Sequence, residues 1–306
     1  MNWIEVSVVT DGEAAEAVSE ALRPYAYDQS VALVQWGDAG SPDPYALEPA
    51  VAVKLYIPDD EQAAATRRRI EEVVYFLGRL YPVPAPTFTT LMEEDWANAW
   101  KKHYEPFRIG QRLWIQPSWQ PAEAAKPNDI VLTLDPGMAF GTGLHPTTQM
   151  CLQALEQLVT PGANVLDVGT GSGILAVAAA KLGAGRVYAV DTDKLAVQAA
   201  QENVRLNDVA QVVTVAAGTL NNAPRAPWDL VVVNILAPVI ETMLRQEQLI
   251  SYVAPGGRLI LSGIIEEQAA GVSAAVVESG GEILRTDAIR DWVAFIAQRA
   301  AVRQAL

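Results

Sequence analysis

From Trp3 to Val9 apolar and polar residues alternate in a run rich in β-branched side chains, which predicts a half-buried strand. Residues 11–23 follow helical spacing and must stop before Pro24. Val31–Trp36 and Ala50–Ile57 predict two further strands around a loop of Gly, Ser, Pro and Asp at residues 37–49. A second helix is expected from about Asp59 to Leu80, with Val73, Val74, Phe76 and Leu77 apolar on one side. The stretch Pro82 to Pro86 ends it, and Thr87–Leu91 predicts a fourth strand. The order is βαββαβ, that of a ferredoxin-like α+β domain.

Between Glu93 and Trp119 the pattern changes. Trp96, Trp100, Trp114 and Trp119 fall here, and Trp96 and Trp100 are spaced to share one face of a short helix. A linker helix and a connecting strand are expected over residues 92–120. From Ala163 onward the spacing alternates between strand and helix. Strands are predicted at Val165–Val168, Val187–Val190, Val212–Val215, Leu230–Val233 and Arg258–Leu261, and helices at Gly173–Lys181, Asp193–Arg205 and Pro238–Tyr252. That is the pattern of a doubly wound parallel sheet. Gly281–Ile289 and Trp292–Ala297 break the alternation and predict a hairpin at one sheet edge. The expected division is a first domain over residues 1–91, the linker over 92–120 and an α/β domain over 121–306.

The chain's 306 residues accommodate two domains. Its N-terminus, Met1-Asn2-Trp3-Ile4-Glu5, has neither a basic start nor an apolar signal region, and no apolar run is long enough to span a bilayer. A soluble cytoplasmic protein is expected. Cys151 is the single cysteine and His103 and His145 are the two histidines, which argues against a disulfide or a zinc site. No metal site is expected. The net charge of -14 repels polyanions such as nucleic acids and attracts basic protein partners.

The chemistry concentrates where the first strand of the doubly wound part ends. Val165-Leu166-Asp167-Val168 runs into Gly169, Gly171 and Gly173. Such a turn lets a ligand approach the backbone, and the helix that follows offers free N–H groups. Asp191 ends the next strand, where it can accept hydrogen bonds from a ribose diol. Gly171-Ser172-Gly173-Ile174-Leu175-Ala176 also satisfies a dinucleotide fingerprint, so the glycines do not discriminate. Three features do. Asp167 inside the approach to the turn would repel a pyrophosphate but suits the cationic amino-acid part of S-adenosylmethionine. Asn234-Ile235-Leu236-Ala237 ends the fourth strand, where open α/β sheets hold their ligands. The terminal hairpin replaces a second dinucleotide half. Upstream, Leu134-Asp135-Pro136-Gly137-Met138-Ala139-Phe140-Gly141-Thr142-Gly143 leads into His145-Pro146-Thr147-Thr148, which opens a helix with Pro in its first turn. Phe140 is placed to cover the cofactor's apolar face, and the Thr148 hydroxyl to reach the cofactor.

These residues resemble the ribosomal-protein methyltransferases of the PrmA family over essentially the whole chain. The most specific match is Leu134 to Gly143 with His145-Pro146-Thr147-Thr148. It is joined by Glu94-Asp95-Trp96 to Trp100-Lys101, Trp114 to Trp119 and Asn234-Ile235-Leu236-Ala237, whereas Leu166 to Gly173 alone marks a class I methyltransferase. The resemblance implies a Rossmann-like methyltransferase sheet behind a substrate-recognition domain, with cofactor contacts at Thr148, Gly169, Asp191 and Asn234. It also implies N-methylation of lysine side chains and the α-amino group of a basic substrate, the eleventh protein of the large ribosomal subunit. A monomer with no direct nucleic-acid contact is expected. A lysine with a pKa of about 10.4 must lose its proton before attack, and a nearby sulfonium favours that loss. The Asn234 side-chain oxygen or a backbone carbonyl at 235 or 236 is the candidate to aim the amine. Another protein or a small amine as substrate, a nicotinamide-dependent oxidoreductase and a non-catalytic binding protein remain the competing readings.

Overall fold

The computed structural model describes residues 3–27, 31–36, 50–80, 82–91, 106–120, 125–134 and 143–300. The chain divides into two compact units, one drawn chiefly from Met1–Phe107 and the other chiefly from Ala139–Leu306. Trp96 and Trp100, and so the expected linker helix, lie outside the described residues, as does Phe140.

In the first unit the order is β1 (Trp3–Thr10), α1 (Gly12–Leu22), β2 (Val31–Trp36), β3 (Ala50–Pro58), α2 (Ala63–Leu77) and β4 (Thr87–Leu91). The strands pair antiparallel in the order β2-β3-β1-β4, the ferredoxin-like arrangement. Alternation sets the two faces. Ile4, Val6 and Val8 are buried, while Glu5 on the opposite face pairs with Lys54 at 2.9 Å and accepts a hydrogen bond from the Tyr56 hydroxyl at 2.9 Å. Asp11 caps α1 by accepting from the Ala14 N–H at 2.8 Å. The second helix is shorter than its periodicity suggests, because the expected N-terminal turn at 59–62 is not helical.

The second unit begins with a small sheet, β5 (Phe107–Ile109), β6 (Leu113–Pro117) and β7 (Ile130–Leu134), in the order β5-β6-β7. Its strands come from both sides of residue 120, and only a connecting strand was expected there. Next follow α3 (Pro146–Leu158), β8 (Asn164–Val168), α4 (Ile174–Lys181), β9 (Arg186–Asp191), α5 (Lys194–Leu206), β10 (Val213–Ala217), β11 (Trp228–Asn234), α6 (Ala237–Arg245), β12 (Val253–Ile265), α7 (Glu266–Glu278), β13 (Gly281–Ile289) and β14 (Trp292–Arg299). The large sheet has the order β10-β9-β8-β11-β12-β14-β13. β8 to β12 run parallel, and β14 lies antiparallel to both β12 and β13. The predicted edge hairpin is therefore present. β11 shows why the parallel strands read as unbroken apolar runs: Val231, Val232 and Val233 are all fully buried.

Two further elements depart from expectation. The helix expected at Pro238–Tyr252 stops at Arg245, Gln248 turns left-handed at φ 56°, and Leu249–Tyr252 form a 3-10 turn. Ile240, Met243 and Leu244 set a helical stripe that continues through 247, 248 and 251. The apolar residues instead fall at 249, 250 and 252, so the chain must break the helix to bury them. α7 was not anticipated: of its residues only Val272, Ala275 and Val276 are buried, too few for a legible stripe.

Helices on both faces seal this sheet, and Leu261, at the centre of β12, has no exposure. Leu261→Ala is expected to destabilise the second unit by about 2–5 kcal/mol in chemical denaturation. Leu284→Ala, at a position 45% exposed, should cost less than about 0.5 kcal/mol. Equal effects would show that the sheet centre is not where stability resides.

Candidate active site

The strand order reverses between β8 and β11: β9 and β10 lie to one side of β8, β11 and β12 to the other. Open α/β sheets hold ligands at the C-terminal strand ends beside such a switch point. Asp167, Asp191 and Asn234 all fall there, near the ends of β8, β9 and β11.

The turn from β8 to α4 demands glycine for reasons of both conformation and space. Gly169 has φ +76°, and a Cβ there would run into the Ile235 side chain. Gly173 has φ +81°, and its Cβ would lie 3.0 Å from the Ala200 backbone of α5. The N–H groups of Gly169 and Thr170 donate to the Val190 carbonyl at 2.9 and 3.0 Å, tying the turn to β9. Gly171 turns its N–H to Asp191 Oδ2 at 2.9 Å, and Asp191 Oδ1 accepts from the Asp193 N–H at 3.0 Å. Each carboxylate oxygen thus accepts one bond and keeps acceptor capacity for a pair of hydroxyls.

Asp167 has no exposure, and its Oδ2 accepts from the Thr170 hydroxyl at 2.7 Å. Oδ1 is buried without a hydrogen-bond partner, the Ala176 N–H of the first turn of α4 facing the carboxylate short of a full bond. Burial pushes this carboxyl up to about 7. The Thr170 bond opposes the rise, the Asp191 charge adds to it, and the Ala176 N–H lowers it. A buried anion lacking part of its compensation favours a cation and repels a diphosphate. Together with the ribose acceptors at Asp191 and the backbone cradle at Gly169, it fits S-adenosylmethionine better than a dinucleotide.

On the other side of the switch point α3 delivers Thr148. Its entry is fixed by His145, whose ring accepts from the Thr147 N–H at 3.3 Å and meets the Thr147 hydroxyl at 2.7 Å from the same Nδ1. Burial pushes the His145 pKa down to about 4, so the ring is neutral and can cap as an acceptor. Pro146 follows in the first turn, as expected. Thr148 is buried, and the Asn234 side-chain amide donates to its Oγ1 at 3.4 Å. With its NH2 committed to Thr148, Asn234 leaves Oδ1 as an acceptor. Beside it, Leu236 is 70% exposed.

The structure therefore brings together Thr148, Asp167, Gly169, Gly171, Gly173, Asp191 and Asn234. Sequence reasoning missed Thr170, whose signal was a hydroxyl three residues after Asp167. It also missed Trp292, whose ring meets His145 edge-on at 4.6 Å from the far end of the chain, with no local signal. Asn203, too, was missed; it lies on the buried face of α5 and donates to the Ser172 carbonyl at 2.8 Å. Its signal was the four-residue spacing from Asn207 inside an amphipathic helix. Among the described residues no cluster of three or more His, Cys, Asp or Glu could hold a metal.

A Rossmann-like sheet with a terminal antiparallel hairpin, a glycine turn over a buried carboxylate and an acid ending the next strand define a class I S-adenosylmethionine-dependent methyltransferase. The model of the ribosomal protein L11 methyltransferase (PrmA) family matches residues 2–300, and the chain belongs to that family. It is 44% identical to a ribosomal protein L11 methyltransferase of Chloroflexus aurantiacus, over 97% of this chain and 98% of that protein. It is 45% identical to one of Herpetosiphon aurantiacus, over 96% and 98%. The solved structure of a ribosomal protein L11 methylase from Lactobacillus delbrueckii subsp. bulgaricus superposes with a TM-score of 0.60 at 33% identity, covering 65% of this chain and all of that one. The chain is thus an enzyme that uses S-adenosylmethionine as its cofactor.

Three outcomes follow from this geometry. Gly169→Ala should abolish measurable cofactor binding in calorimetry, since both the backbone angle and Ile235 oppose it; wild-type affinity would refute the cradle. Asp167 is protonated below about 7 and ionised above it. Affinity for a cationic ligand should therefore fall as pH drops from about 8 to about 6, and Asp167→Asn should flatten that profile. The stability contribution has the opposite sign. Because the folded-state pKa is raised, it is present at acid pH and lost as pH rises through about 7. Thermal denaturation of the unliganded protein checks this.

Proposed function

We propose that this chain transfers methyl groups from S-adenosylmethionine to lysine side chains and to the α-amino group of ribosomal protein L11, a protein of the large subunit. The observation that carries the site assignment is the pairing of Asn234 with Thr148 across the switch point, beside the Gly169–Gly173 turn. The cofactor, when bound, supplies a methyl group already electrophilic on a sulfonium. What remains for the protein is to bind, to orient and to exclude water. The turn at Gly169, Gly171 and Gly173 cradles the cofactor, Asp191 accepts its ribose hydroxyls, and Asp167 and Thr148 complete the contacts. Asn234 Oδ1 would accept a hydrogen from the neutral amine and so orient the amine's lone pair for transfer.

Residues 1–91 form the substrate-recognition domain in this reading, 92–120 the linker and 121–306 the catalytic domain. Two features support a protein-binding first domain. The end of α2 and the turn after it present Tyr75, Phe76 and Leu80 to solvent at 64, 65 and 78% exposure. The net charge of -14 suits a basic ribosomal protein and disfavours direct nucleic-acid contact. No helix among the described residues is long and apolar enough to cross a membrane, and we place the enzyme in the cytoplasm, working as a monomer.

The test is mass spectrometry of purified L11 after incubation with the enzyme and cofactor. Its mass should rise in whole methyl steps that map to lysines and the N-terminus; an unmodified protein would overturn the substrate assignment. Asn234→Ala should lower kcat by about 10- to 100-fold, the scale of a lost positioning contact, with little change in thermal stability. A stable variant with wild-type turnover would remove Asn234 from the transfer step.

A further inference from the structure

Two buried amides, Asn203 on α5 and Asn207 at its C-cap, have no part in the chemistry above. Asn203 is 2% and Asn207 3% exposed. An asparagine on the buried face of a packing helix is costly unless its amide is bonded. Asn203 Nδ2 donates to the Ser172 carbonyl at 2.8 Å, between Gly171 and Gly173. The Asn203 backbone carbonyl accepts from Asn207 twice, from Nδ2 at 2.8 Å and from the backbone N–H at 3.1 Å. Asn207 is itself clamped to β7: its Oδ1 accepts the Thr133 N–H at 2.9 Å and its Nδ2 donates to the Thr133 carbonyl at 2.6 Å.

The bonds form one continuous chain from β7, through the end of α5, to the glycine turn. The Ser172 carbonyl shares a peptide plane with the Gly173 N–H, which closes the turn onto Thr170 at 2.9 Å. Fixing that carbonyl therefore fixes the plane that carries the turn into α4. One helical turn before Asn203, Ala200 abuts Gly173. Steric contact sets how close α5 comes to the turn, but only a directional bond sets the rotation of its peptide planes.

We propose that Asn203 is a positioning residue for methyl transfer, holding the Gly169–Gly173 turn in its cofactor-receiving shape, with Asn207 bracing it from β7. This rests on the reading of that turn as the cofactor site. Asn203 touches neither cofactor nor substrate and acts through Ser172. Its loss weakens cofactor binding and leaves the chemistry intact once the cofactor is bound.

The experiment measures S-adenosylmethionine affinity by calorimetry, thermal stability, and steady-state kinetics with L11, for Asn203→Ala, Asn203→Asp, Asn207→Ala, the double alanine variant and Asp191→Ala. Asn203→Ala should raise Kd and KM for the cofactor by about tenfold. Its kcat at saturating cofactor should stay within about threefold of wild type. Asn203→Asp keeps the shape but loses the donor, and should be at least as impaired. Asn207→Ala should show a smaller loss that is not additive with Asn203→Ala. Folded Asn203 variants with wild-type Kd, whatever their melting temperature, overturn the proposal. Should Asn203→Ala fail to fold, the Asp and Asn207 variants decide by the same reading. Asp191→Ala separates the two levels. If it binds cofactor normally, the site reading fails and takes this inference with it. If it loses binding while the Asn203 variants retain it, the positioning role alone fails.

Discussion

The turn between β8 and α4 is the point on which the second unit's architecture converges. Its backbone must pass beneath Ile235 on one side and against Ala200 on the other, and it does so through left-handed residues at 169 and 173. A side chain would clash at 169 and be strained and crowded at 173, so the turn's shape is constrained by what surrounds it. Val190 holds its two leading N–H groups, Asp191 the N–H of Gly171, and Asn203 its Ser172 carbonyl. Strands β8, β9 and β11 and helix α5 thus meet at one short segment.

Burial then decides the charge states around this segment. Asp167 and His145 are both nearly or fully inaccessible, and burial moves each toward its neutral form, up to about 7 for the acid and down to about 4 for the imidazole. The consequences differ. A neutral His145 is a working acceptor, and it spends that capacity on the first turn of α3. Asp167 is poised near neutrality, so a cation brought to the turn returns it to the ionised form. The family's cofactor carries that charge. A dinucleotide would present a diphosphate to the same carboxylate, and the two anions would have to coexist with little water between them.

Much of this was legible in the sequence because it depends on local rules. Strands announce themselves by their apolar pattern, alternating in Trp3–Thr10 and unbroken through Val231–Val233 in Trp228–Asn234. His145-Pro146 announces a helix start, and three alternate glycines after an aspartate announce a ligand turn. Interactions between distant segments were not legible. The break after Arg245 arises because Leu249, Ile250 and Tyr252 must reach a core assembled from other elements. Trp292 meets His145 only after the terminal hairpin has folded onto β12. Asn203 and Asn207 look like ordinary polar interruptions of an amphipathic helix until Ser172 and Thr133 are seen to supply their partners. The three-stranded sheet of β5, β6 and β7 escaped because each strand is short and the segment lacks a strong alternation.

The described part of the transfer site contains little that could distinguish one lysine from another. Around Asn234 it offers one amide acceptor, the hydroxyl of Thr148 and the exposed side chain of Leu236, groups that any amine on an aliphatic stem satisfies. A long aliphatic stem ending in a neutral amine satisfies all of these described groups, and every lysine meets that requirement. On the proposed function, such groups leave selectivity to binding energy gathered elsewhere on the substrate protein. Binding energy drawn from surfaces remote from the reacting amine can select a protein without selecting a single residue on it. That division of labour is consistent with modification of several amines on one substrate.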